Sequence, residues 1–210
     1  MSRRAPRTPL PARPLPMETV GGTHRPITEI GTPVLHHHSA DVTEFGTERL
    51  ARLLADMFFT MHAANGVGLA ANQIGLDLRL FVYDCPGDDG TRHIGHVLNP
   101  EVRLTGTEEI TQPEGCLSVP GAVRHVTRAA NATVRGQDWQ GRPITVHGTG
   151  LFARCLQHET DHTNGTLYVD RLTPEDRAEA LRQMDANRAT VLAQRATRAR
   201  LLARQAGADQ

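Results

Sequence analysis

The pentapeptide His158-Glu159-Thr160-Asp161-His162 constrains this chain of 210 residues more than any other segment. Two imidazoles four residues apart project from one face of an α-helix, about one turn from each other. A helix is therefore expected over about residues 150–163. Such a pair chelates one metal ion, and Glu159 sits where its carboxylate reaches a water that the ion acidifies. Catalytic sites of this kind hold three protein ligands and keep one position open, so the rest of the fold must bring a further ligand to this helix.

Two candidates for that ligand are visible once a longer pattern is set aside. The longer pattern HExxHxxGxxH is matched at Gly165, but Tyr168 stands where its last His belongs. A Glu ligand on a following helix is possible in principle, with Glu179 the nearest helical candidate, and nothing else supports it. Cys116 is the better candidate. It lies in Pro113-Glu114-Gly115-Cys116-Leu117-Ser118, expected to be an irregular segment between strands. One thiolate with two imidazoles suits Zn, Fe(II), Ni or Co, although a lone Cys is more often a small buried hydrophobe. A second segment, Gly66-Val67-Gly68-Leu69-Ala70-Ala71-Asn72-Gln73, is dense in small residues that let another backbone approach. Its Gln73 offers a neutral amide donor of the kind used against a developing oxyanion; an isolated Gln is otherwise an ordinary surface residue. The segment follows a helix and lacks a third glycine, so it is no dinucleotide fingerprint.

Around these motifs the periodicity describes one domain of α+β class. Leu50, Leu53, Leu54, Met57, Phe58 and Met61 fall on one face of a helix expected over Thr47–Ala64, stopped by Asn65-Gly66. Short strands are expected at Leu78–Asp84, His96–Asn99, Ala132–Gln137 and Pro143–His147, mostly antiparallel, the last two joined by a turn at Gly141. A last helix opens at Thr173-Pro174-Glu175-Asp176 and extends to about Ala206. Residues 1–26 carry six prolines among scattered Arg and read as a disordered tail. Acidic and basic residues balance at 23 each, so overall charge points to no nucleic-acid partner, and no apolar run is long enough to span a membrane. Three cysteines and the lack of a signal peptide suit a cytoplasmic protein.

Taken in order and spacing, GVGLAANQ at 66–73, EGCLS at 114–118 and HETDH at 158–162 resemble the three signature motifs of the peptide deformylases. The similarity covers about residues 27–172, with Ile30-Gly31-Thr32-Pro33-Val34-Leu35, Asn99-Pro100 and Asp170-Arg171-Leu172 as further matches. It implies an α+β enzyme whose central HExxH helix is surrounded by antiparallel sheets. The implied reaction removes the formyl group from the formyl-methionine of nascent chains and releases formate. The implied cofactor is one divalent metal ion, usually Fe(II), with Zn, Ni or Co as substitutes. Carried onto this sequence, Cys116, His158 and His162 bind the metal and Glu159 is the general base. The Gln73 amide and the Leu117 backbone N–H hold the oxyanion.

Leu151 and Cys155 share the helix face of His158 and His162, which makes them pocket candidates for the methionine side chain; core packing explains them equally well. Val67 forms another wall in this reading, with Gly68 and Gly115 bonding the peptide backbone. Thr163 replaces an apolar residue of the family pattern and is expected to loosen packing beside His162. Asp161 is expected either to orient a ligand His or to be an ordinary surface acid, the first being favoured, and His36-His37-His38 to be a solvated turn. Arg188, Arg195, Arg198, Arg200 and Arg204 make the end of the last helix basic. That suits contact with ribosomal RNA, or a solvated amphipathic tail. Neither a membrane nor DNA is an expected partner. Two other readings remain: a different HExxH peptidase, and an RNA- or ribosome-binding protein with a structural metal.

Overall fold

The computed structural model describes residues 21–208. The expected tail thus lies, through residue 20, outside the described residues. Its boundary at 26 needs correction, because residues 23–25 are tied to the first helix. The backbone N–H and hydroxyl of Thr23 both donate to Asp56, Arg25 donates to the same carboxylate, and the Arg25 N–H donates to Thr60 Oγ1. Composition missed this because the anchor is polar and buries little apolar surface.

Helix α1 spans Glu48–Ala63, with the Thr47 hydroxyl accepting from the Leu50 N–H. Its apolar face packs Leu50, Leu54, Met57, Phe58 and Met61 against Leu69, Leu80, Val82 and Leu98. Asn65 then takes a left-handed φ of 58° and turns the chain into the glycine-rich segment. Seven strands follow, interrupted after the first by a 3-10 turn at Ala71–Ile74. They are β1 (Gly68–Ala70), β2 (Leu80–Pro86), β3 (Arg92–Leu104), β4 (Glu109–Cys116), β5 (Val119–Ala129), β6 (Asn131–Gln137) and β7 (Pro143–Thr149). Five form an antiparallel sheet in the order β1-β2-β3-β6-β7, and β4 pairs with β5 in a separate hairpin.

Strands β1, β4 and β5 were not expected. Glu, Gln, Pro and Gly dominate β4, and most of its side chains face solvent, so the apolar alternation that betrays a strand is missing. Cys116 is consequently the last residue of a strand rather than part of an irregular segment. The β4–β5 pairing there carries a register shift between Gly115, opposite Val123, and Cys116, opposite Val119.

Helix α2, Gly150–Thr163, packs on strands of both sheets, with Phe152, Cys155 and Leu156 in a core shared with Phe81, Val97 and Val134. Thr163 is fully buried and its hydroxyl donates to the Thr160 carbonyl at 2.9 Å, so its polar group is satisfied within the helix. Helix α3, Pro174–Ala208, starts with the Thr173 hydroxyl accepting from the Asp176 N–H and lies along β5 and α1. Its Asn187 donates to the Gly121 carbonyl, where any Cβ on residue 121 would fall 2.5 Å from that of Asn187.

Candidate metal centre

The end of β4 meets one face of α2, and there the side chains of Cys116, His158 and His162 converge with all their donor atoms within 4.8 Å of one another. The two Nε2 atoms stand 3.2 Å apart, and Cys116 Sγ is 3.2 Å from His162 Nε2. Tetrahedral ligands held by bonds of the length zinc makes to nitrogen lie roughly 3.3 Å apart. The spacing therefore fits one ion, and the thiolate and imidazole donors suit Zn, Fe(II), Co or Ni. Among the described residues no other group of three or more His, Cys, Asp or Glu meets that condition. Tyr168 is buried with its ring 6.5 Å from that of His158, and Glu179 is engaged by Arg124 and Arg182, so neither alternative ligand enters.

Asp161 does not orient a ligand imidazole. It accepts from Arg128 and Arg171 instead. The orienting acid is Glu114, with Oε1 2.7 Å from His158 Nδ1, which leaves Nε2 directed at the ion position. The same buried carboxylate accepts from Arg128 and from Arg154 at 2.7 Å. Burial opposes its ionisation, but hydrogen bonds from His158 and Arg128 and their charges hold it well below the usual carboxylate range. Glu114 and Cys116 sit two apart on one face of β4; with the strand unseen, that pairing was invisible in the sequence.

Gln73 is buried, not a surface residue. Its Oε1 accepts from the Ala70 N–H, which points Nε2 at Ser118 Oγ (3.1 Å) and Cys116 Sγ (3.5 Å). Glu159 is buried beside them. Burial pushes its carboxyl up to about 7, and Oε2 has no hydrogen-bond partner. Gly68 makes this approach feasible, since a Cβ there would fall 2.6 Å from Glu159 Cδ.

A cavity of about 520 Å³ opens onto the cluster. Val67, Gly68, Gly115, Leu117, Leu151 and Cys155 all line it. Val67 and Leu151 are partly exposed at its mouth, whereas Cys155 is buried and donates to the Val67 carbonyl at 3.5 Å.

The comparisons with known proteins coincide with this geometry. The family model for polypeptide deformylase matches residues 24–178. This chain belongs to the peptide deformylase family. Peptide deformylase 1 of Streptomyces avermitilis is 56% identical over 174 residues, covering 79% of this chain and 78% of its own length. Peptide deformylase 2 of Streptomyces coelicolor is 52% identical over 169 residues, covering 79% and 94%. A crystal structure of a peptide deformylase from Legionella pneumophila aligns with a TM-score of 0.72 at 43% identity, covering 80% of this chain and 97% of that one. Peptide deformylases are metal-dependent hydrolases that remove the N-formyl group from nascent peptides.

The other sequence features fall outside the metal centre. The rings of His36, His37 and His38 are taken up locally by Gly31, Asp77 and Arg79. Of the basic residues on α3, Arg188 pairs with Glu29, Arg195 donates to the Leu117 carbonyl and Arg198 to the His62 carbonyl. Among the described residues no helix is long and apolar enough to cross a membrane.

Proposed function

We propose that Cys116, His158 and His162 hold the divalent ion of a peptide deformylase, with Fe(II) the first choice and Zn, Ni or Co as substitutes. The observation that carries this reading is the convergence of three soft and borderline donors beside a buried carboxylate at the floor of a cavity. When bound, the ion supplies Lewis acidity to the attacking water and the formyl oxygen. Glu159 takes the proton of that water and hands it to the departing amine. Its carboxyl, raised to about 7, is suited to both transfers near neutral pH. The Gln73 amide, fixed by its bond to Ala70, donates to the formyl oxygen as charge develops, together with the Leu117 N–H. Val67, Leu151 and Cys155 receive the methionine side chain, and Gly68 and Gly115 offer their main chain to the peptide backbone.

In this reading α2 is the central helix of the catalytic unit, residues 27–172, and α3 packs over it. Intramolecular bonds from Arg188, Arg195 and Arg198 leave Arg200 and Arg204 as the basic residues available to a ribosome, so docking on its own domain better accounts for the basic pattern. Nascent chains as substrate place the protein in the cytoplasm.

Formate release from a formyl-Met-Ala-Ser peptide by anaerobically prepared, Fe(II)-loaded protein tests the proposal. Turnover is expected in the parent, with its loss in Cys116→Ala and Glu159→Ala and metal retained in the latter. Full turnover in either variant would overturn the role assigned to that residue.

A further inference from the structure

The peptide unit between Leu117 and Ser118 is gripped at both ends. Its N–H donates to Cys116 Sγ at 3.3 Å, and its carbonyl oxygen accepts from Arg195 Nη1 at 3.0 Å. Arg195 comes from the far half of α3, 78 residues along the chain from Leu117. Its guanidinium is substantially buried, and burial pushes its pKa down against the attraction of Cys116 and Glu29. An arginine kept there at such a desolvation cost needs a compensating interaction. Glu29, the acid whose charge acts on it, is already paired with Arg188.

We propose that Arg195 is a positioning residue for the metal centre, acting on the Cys116 sulfur through the 117–118 peptide. A cation on the carbonyl oxygen polarises the amide, and a polarised N–H is a stronger donor to sulfur. The same bond fixes the plane of that peptide and so the direction from which its N–H meets the thiolate. The other contacts here reach neighbouring atoms or the sulfur directly: the Ile30 N–H donates to the Ser118 carbonyl at 2.9 Å, and Gln73 Nε2 donates to the Ser118 hydroxyl at 3.1 Å and, more distantly, to Cys116 Sγ at 3.5 Å. The C-terminal helix therefore supplies an outer layer of the metal site, of the kind that tunes a ligand's donor strength. Arg198 makes a similar bond from the same helix, donating to the His62 carbonyl at 2.7 Å, and among the described residues it makes no hydrogen bond to the 116–118 segment. It separates tuning of the thiolate from simple docking of α3.

This inference rests on Cys116 as a metal ligand, and the experiment tests the two separately. Co(II)-substituted parent protein is expected to show a thiolate-to-Co(II) charge-transfer band that is absent in Cys116→Ala; a parent without it would overturn the ligand reading, and this inference with it. Given that band, Arg195→Met is expected to move it to longer wavelength, because a sulfur with a weakened hydrogen bond gives up charge more readily. Arg195→Lys should bring the band part of the way back to the parent position, and Arg198→Ala should leave the band in place even where it lowers Tm. An unmoved band in Arg195→Met, or an equal shift in Arg198→Ala, would overturn the positioning role.

Discussion

Glu114 Oε1 stands 2.7 Å from His158 Nδ1, on the same strand and the same face as Cys116 two residues on. One strand end thus carries both a candidate ligand and the acid that aims another, while the buried guanidinium groups of Arg128 and Arg154 neutralise the acid from behind.

Removing that acid leaves buried Arg154 without a carboxylate and Arg128 with Asp161 alone. Glu114→Ala is expected to lose about 3–5 kcal/mol of stability and to bind the ion on the order of 10- to 100-fold more weakly. Urea unfolding and metal retention against a chelator check the two effects.

A side chain at position 68 has nowhere to go but into Glu159. Gly68→Ala is expected to fold and to keep its metal, yet to lose on the order of 100-fold in kcat, the usual penalty for displacing a reacting group by about 1 Å. Formate release beside metal content distinguishes this from loss of the site.

Stripping the metal should destabilise the fold, because a ligand bound only by the native state stabilises it by about 2.7 kcal/mol at a hundred times its Kd. Chelation of the loaded parent is expected to lower Tm by roughly 5–10 °C. Cys116→Ala should respond far less in the same thermal scan.

Acid should loosen the N-terminal anchor. Burial alone would push the Asp56 carboxyl up, but bonds from Thr23 and Arg25 and the Arg25 charge together hold it below its ordinary 3.8. A folded pKa below the unfolded one means that the stabilisation is fully present above about pH 4 and disappears as pH falls through the folded value. Asp56→Asn is expected to cost about 1.5–3 kcal/mol at neutral pH and to flatten the fall in stability below about pH 4. A parent-like slope in denaturant titrations of that variant would contradict the assignment.

Helix α1 and the start of α3 were legible in sequence because their signals are local. Apolar residues recur every three or four positions in α1, and hydroxyl caps at Thr47 and Thr173 accept from N–H groups three residues on. The convergence of Cys116, His158 and His162 was foreshadowed for a related reason: these residues lie in short motifs whose spacing suits one candidate metal site. The β4–β5 hairpin was not, since its order comes from cross-strand backbone bonds and from α3 packed on β5, neither of which leaves an apolar period. Asp161 is bound by Arg128 and Arg171, 33 and 10 residues away, although its neighbours in sequence are the candidate ligands, so its sequence position gave no sign of its partners.

By itself the sequence determined which side chains can take part in the chemistry, since a helix places His158, Glu159 and His162 by local geometry alone. Only the tertiary structure decided which acid aims His158, how deeply Gln73 and Glu159 are buried, and that Arg195 reaches the Leu117 carbonyl. Each of these depends on charges and carbonyls from distant segments being desolvated together, and no local pattern along one chain encodes where those segments will meet.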